Sequence, residues 1–197
     1  MSSKVLGLQL PTDPRWVNLA EMRLEDILTD HAYCELKAAT ACISLIQVYP
    51  NKTYMVEQLT PVVAEEWAHF RMVLKELEKR GLSLGFQRKD EYANQLLKFQ
   101  LKGGSIEDRF IDKLLMSALI EARSCERFRL LSENISAEEL KPFYRNLMVA
   151  EAMHYKLFLK IAKKYLDKAE VKKRWKAWLE IEKEVLLQLE IRGDRMH

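Results

Sequence analysis

One short motif, occurring twice, constrains this chain more than anything else: Glu66-Trp67-Ala68-His69 and Glu151-Ala152-Met153-His154. In each, a carboxylate and an imidazole stand three residues apart. On an α-helix that separation is roughly 300° of rotation and about one turn of rise, so both groups leave one face and can grip one metal ion. Glutamate and histidine alike recur after 85 residues, and the two motifs use two of the chain's four histidines. About 30 residues before each motif, an apolar helical segment carries one further glutamate, Glu35 and Glu121. A single Glu-x-x-His in a charged helical protein is an ordinary solvated pair. Two, each preceded by a glutamate on a greasy stripe, call for a common cause. Burying an isolated carboxylate is costly, so a metal or another cation should accompany these acids.

The 197 residues suffice for one domain with a substantial core, and residues 1–197 read as a single unit. Only six glycines and five prolines interrupt a composition that favours long helices with short connections. Cys34, Cys42 and Cys125 form no CxxC pair, which points to reduced thiols and a cytoplasmic setting. The first 14 residues lack a basic-then-apolar leader pattern, and no apolar run approaches the roughly 20 residues of a membrane span. The expectation is a soluble protein with no membrane partner.

Taken in order, the chain reads as an irregular arm to Pro14, then a helix capped at Asn18 and running to about Tyr49, where Pro50 stops it. Leu24, Leu28, Glu35, Ala38, Ala39, Cys42 and Leu45 fall near one face of it. A second helix starts at Thr53 or at Thr60-Pro61, carries Glu66 and His69, and ends before Gly81. The connector from Gly81 to Gly104 holds a short helix around 91–101. Its length suits a crossover rather than a tight loop. The third helix opens at Ser105 with Asp108 completing a cap and reaches about Ser132, its stripe being Ile111, Leu114, Ala118, Glu121, Cys125 and Phe128. The fourth follows a capping signature at 136–139, or begins nearer Pro142, and reaches Tyr165. A fifth starts at Asp167 and runs to about Ile191, with Trp175, Trp178, Ile181, Val185 and Leu189 as its packing stripe. The fold class expected is all-α: a ferritin-like four-helix bundle with a long crossover and an extra C-terminal helix. One Glu from each of two helices and Glu-x-x-His from each of two others is the ligand pattern of di-iron and di-manganese carboxylate bundles.

Carboxylate oxygen with imidazole nitrogen suits iron in both its common oxidation states, with manganese second. Four carboxylates balance two divalent ions. The metal ligands expected are therefore Glu35, Glu66, His69, Glu121, Glu151 and His154. His31 lies one turn from Glu35, but Ser117 occupies the matching place in the second half, so His31 is expected beside the ligands or exposed rather than among them. Glu65 points about 100° away from Glu66 and should lie outside the metal shell. Met72, Met116 and Met148 read as core. From Lys160 to Lys176 stand eight basic residues against Asp167 and Glu170, with Trp175 among them. Such a run either neutralises phosphates or is a solvated helix end whose lysines snorkel around a buried tryptophan.

The segments at 30–39 (DHAYCELKAA), 65–70 (EEWAHF), 120–128 (IEARSCERF) and 151–155 (EAMHY) resemble the tRNA-(2-methylthio-N6-hydroxyisopentenyl adenosine)-hydroxylases over most of the chain. That resemblance implies a ferritin-like, non-haem di-iron monooxygenase with two Fe ions, dioxygen as co-substrate and an external electron donor. Its implied substrate is tRNA carrying a prenylated adenosine, hydroxylated at the allylic terminal methyl of the isopentenyl group next to the anticodon. The family's metal positions carry over to the six residues above without departure. An apolar pocket beside the metals is implied for the prenyl tail, and Lys172, Lys173, Arg174 and Lys176 become the expected tRNA contacts. A ferritin-like iron oxidase or a peroxidase is the competing reading; the missing CxxC pairs speak against a peroxidase with a rubredoxin module.

Overall fold

Stretches free of glycine, with apolar residues on a 3.6-residue period, set the architecture. The computed structural model describes residues 5–197. Among these residues every regular element is helical: a 3-10 turn at Val5–Gly7, then α1 (Arg15–Glu21), α2 (Leu24–Val48), α3 (Thr53–Lys79), α4 (Glu91–Phe99), α5 (Ile106–Asn134), α6 (Leu140–Tyr165) and α7 (Lys168–Gln188). They group into two compact units.

One unit comprises Pro14–Lys89 and the tail segment Ile191–Met196. Its centre is the hairpin of α2 and α3, joined by a short turn at Pro50. The helix expected to run unbroken from Asn18 is in fact two. Arg23 leaves the helical region at φ −133°, ψ 44°, and Asn18 lies inside α1, its carbonyl accepting from the Met22 N–H. Trp16, Val17 and Ala20 of α1 and Ile27 and Leu28 of α2 are buried on the two sides of the break. Helix α3 takes the earlier of the two expected starts, so Pro61 sits inside it. Burial of Met55 and Leu59 ahead of the proline holds that first segment helical despite the lost bond. Beyond Lys79, Gly81 adopts φ +67°, and the Leu82 N–H bonds the Leu77 carbonyl at 3.0 Å, closing the helix in a left-handed glycine cap. The tail returns to this unit: Met196 N–H donates to Asp30 at 2.7 Å, and a Cβ on Gly193 would lie 2.1 Å from the Leu19 carbonyl oxygen. Only glycine fits there.

The other unit contains the segment up to Asp13, Asp90–Glu190 and His197. Its centre is the hairpin of α5 and α6. Ser105 and Asp108 form the expected capping box on α5. The signature at 136–139 does not cap: α6 begins at Leu140 with Pro142 in its first turn, because Glu139 is already in helical geometry. Helix α7 ends at Gln188, short of the expected Ile191. Its N-cap is Asp167, whose carboxylate accepts from the Ala169 and Glu170 N–H groups. Two sets of contacts fix α7 to α5. Trp178 Nε1 donates to Asp112 at 2.9 Å, and Arg174 reaches Asp108 at 3.2 Å and Asp112 at 3.7 Å. Deeper in, the fully buried Arg123 donates to Glu182 at 2.6 and 2.8 Å, to Glu126, and to the Leu10 carbonyl at 3.0 Å.

Candidate metal centre

Each hairpin carries three of the six expected ligands on its apolar face. In the α2–α3 unit, Glu35 follows Leu28 by two turns, and Glu66 lies one turn beyond Val62. Both glutamates are buried, Glu66 completely. His69 Nδ1 lies 3.4 Å from Glu66 Oε2 and 3.6 Å from Glu35 Oε2. His31 is fully buried, not exposed, and its Nε2 stands 2.7 Å from Glu35 Oε1. Glu65, about 100° round the helix from Glu66, is exposed. In the α5–α6 unit, Glu121, Glu151 and His154 are buried, and His154 Nδ1 lies 4.0 Å from Glu151 Oε2. Within each triplet, the ligand atoms lie no more than 4.8 Å apart.

These triplets fit a first-row metal. Donors that each bind an ion at roughly 2 Å must come within roughly 4 Å of one another, and a small side-chain rotation brings either triplet to that spacing. Two buried carboxylates with one imidazole carry the charge that one divalent cation neutralises, and the oxygen–nitrogen donor set is compatible with iron. The protein's own charges tell the same story. Burial works against the charged form of His69, yet hydrogen bonds and charge from Glu35 and Glu66 push its imidazole up to about 10. Burial likewise would raise Glu35, but the His31 and His69 contacts hold it well below the usual carboxylate range. Two carboxylates that turn a half-buried imidazole into a cation are carboxylates seeking positive charge. A metal ion answers the same demand and displaces that proton.

No cysteine belongs to either triplet. Burial pushes the Cys125 thiol up to about 11, and its Sγ faces the Met148 carbonyl at 3.4 Å. Met116 is buried as expected, whereas Met72 and Met148 are half-buried. Of the residues expected to meet tRNA, Lys172, Lys173 and Lys176 are exposed on α7. Arg174 is not available in the same way: its guanidinium is engaged with Asp108 and Asp112 and is only 16% exposed. The sequence held a hint of this, since Asp108 and Asp112 are spaced one turn apart on α5, as Arg174 and Trp178 are on α7. The Arg123 cluster was not foreseen, because its partners come from segments far apart in the chain.

The family model described as tRNA-(MS[2]IO[6]A)-hydroxylase (MiaE) matches residues 1–197. The chain belongs to the MiaE family. Among curated relatives, the tRNA 2-(methylsulfanyl)-N(6)-isopentenyladenosine(37) hydroxylase of Pseudomonas putida is 35% identical over 164 residues, covering 83% of this chain and 78% of that protein. The protein of the same name from Salmonella typhimurium is 26% identical over 229 residues, covering 91% of this chain and 83% of that protein. A solved structure, Protein 43 with aldehyde deformylating oxygenase activity from Synechococcus, superposes with a TM-score of 0.90 at 32% identity, covering 96% of this chain and 94% of that one. The fold class is thus all-α and ferritin-like, as the MiaE-type motifs implied. Among the described residues, no helix is long and apolar enough to cross a membrane.

Proposed function

We propose that this protein is a dioxygen-dependent monooxygenase acting on tRNA. It hydroxylates the allylic terminal methyl of the isopentenyl group on (2-methylthio-)N6-isopentenyladenosine next to the anticodon. The observation that carries this reading is the repeated ligand set, a glutamate and a Glu-x-x-His on each of two helical hairpins, in a chain of the MiaE family. Glu35, Glu66 and His69 from one hairpin, with Glu121, Glu151 and His154 from the other, hold two iron ions, and residues 1–197 serve as one di-iron domain. When bound, the irons supply the redox chemistry by which dioxygen, two electrons and two protons yield one hydroxyl on carbon and one water.

The chain's own residues bind, orient and exclude water. Four glutamates neutralise the metal charge. His31 fixes the rotamer of Glu35 through their 2.7 Å contact. Apolar neighbours on the ligand faces, Val62 and Val73 in one unit and Ala118 and Leu147 in the other, are buried and keep the surroundings dry. A dry site strengthens every electrostatic interaction within it. The exposed Lys172, Lys173 and Lys176 offer charge to tRNA phosphates, and the modified base leaves its stack to reach the irons. The setting is the cytoplasm, where tRNA is found, and the electrons come from an external donor.

Labelled dioxygen tests the reading. With a reductant and prenylated tRNA, one labelled oxygen should appear in the modified nucleoside, and tRNA lacking the prenyl group should yield none. The likeness to a protein with aldehyde deformylating oxygenase activity favours a second reading, in which an aldehyde replaces tRNA as the substrate. Label found only in water or ferric mineral would instead assign an iron oxidase.

A further inference from the structure

Helix α6 bears two faces of opposite character. Glu151 and His154 lie on the buried side. Arg145, Val149, Met153, Lys156 and Lys160 stand at least roughly 120° round the helix from Glu151, on the solvent side. All five are exposed, and the apolar pair conspicuously so, Val149 at 50% and Met153 at 55%. Glu151 is the sole carboxylate between Leu140 and Tyr165, so α6 itself places no acid among the cations of its outer face. The result is an aliphatic spot one turn long, with Arg145 on one side of it and Lys156 and Lys160 on the other.

We propose that this outer face of α6 is where a small acidic one-electron carrier protein, of the iron–sulfur or flavin type, docks to reduce the metal centre. The inference rests on the function proposed above, which needs two electrons per turnover. Three features point to such a partner. An apolar spot with a charged margin is the anatomy of a protein–protein contact, and its small extent suits the transient encounters of redox partners. Basic charge with no acid on its own helix face steers an acidic protein to the spot and makes the encounter sensitive to salt. The face also lies on the back of the helix that supplies Glu151 and His154, so an electron entering there crosses roughly one helix width, about 10 Å, to reach the ligands. RNA fits this surface less well. Val149 and Met153 offer neither a stacking plane nor a hydrogen bond to a nucleotide, whereas α7 provides exposed lysines beside the half-buried Trp175.

The step is two successive one-electron transfers. Two carrier molecules would each give up one electron, and two Fe(III) ions held by the six residues named above would each be reduced to Fe(II). Together with dioxygen and two protons from solvent, these electrons account for one hydroxylated methyl and one water.

The test uses the full-length protein and two probes, an acidic flavodoxin and an acidic [2Fe–2S] ferredoxin. Binding of each is measured by calorimetry at low and at high salt, with metal-free and with iron-loaded protein. At least one probe should bind the parent, more weakly as salt rises. Binding should fall about tenfold or more in Val149→Asp/Met153→Asp and in Arg145→Glu/Lys156→Glu/Lys160→Glu. Both variants should keep parental helicity, iron content and, with dithionite as the reductant, parental product yield. No binding of either carrier to the parent, or undiminished binding by the variants, overturns the proposal. So does a variant that loses tRNA affinity and keeps the carrier, which would give the face to RNA. Failure of the dithionite-driven parent to hydroxylate prenylated tRNA would instead sink the functional reading, while the binding measurement still judges the surface.

Discussion

Glu35 illustrates what one buried acid demands of its neighbours. It accepts from His31, faces His69, and has no lysine or arginine among the groups that hold its charge. Replacing Glu66 or His154 by alanine should lower iron content from about two per chain and abolish turnover, with the helical signal retained. Full activity at parental iron content in either variant would refute the ligand assignment. The raised His69 gives a second expectation, with a definite sign. A histidine near 6.5 when unfolded and at about 10 when folded stabilises the metal-free protein fully below the lower value, and that stability is lost as pH rises towards the upper one. The melting temperature of metal-free protein should therefore fall between about pH 6.5 and pH 10. His69→Gln should flatten that fall, and so should iron, which requires the neutral imidazole. Calorimetric scans across this range decide it.

Among the elements, α7 owes its placement to polar contacts that its hydrophobic stripe does not foretell. Arg123, at the centre of α5, holds Glu182 of α7 and the Leu10 carbonyl of the N-terminal arm. Burial raises the pKa of Glu182, with Arg123 opposing the shift. Removing the arginine would leave carboxylates buried without their cation. Arg123→Ala should cost about 3–5 kcal/mol of unfolding free energy, read from denaturant titration. Arg123→Met, which preserves volume but not charge, should behave similarly unless Glu182 is changed to leucine with it. A loss under 1 kcal/mol, on the scale of about one exposed pair, would show that the cluster is incidental.

For the molecule as a whole, the net charge of +3 conceals a strong asymmetry. Most cations of α6 and α7 are exposed, Arg174 excepted, whereas all four carboxylates expected to bind metal are buried. Neutralising Lys172, Lys173 and Lys176 together should weaken tRNA binding and reduce the steepness of its salt dependence, as fewer counterions are released. Arg174→Gln should instead lower stability by loosening α7 from Asp108 and Asp112. An unchanged salt slope in the triple variant would return these lysines to ordinary solvated surface.

By itself the sequence determined the helical class, the two Glu-x-x-His motifs with their upstream glutamates, and the Ser105 cap. All of these depend on spacings of three to four residues, and helical periodicity fixes their geometry locally. Tertiary structure decided what depends on distant partners. The break at Arg23, whose backbone leaves the helical region, is marked by no glycine or proline. Pro61 stays inside α3 because packing on either side outweighs one lost hydrogen bond. Arg174 turns from surface cation to structural tie because Asp108 and Asp112, 66 and 62 residues earlier, fold against it. The return of Ile191–Met196 to the α2–α3 unit depends on Gly193 meeting the Leu19 carbonyl, an approach that no local pattern encodes. Local periodicity is a property of neighbouring residues; the burial of a charge, and the partner that makes it tolerable, belong to the folded chain.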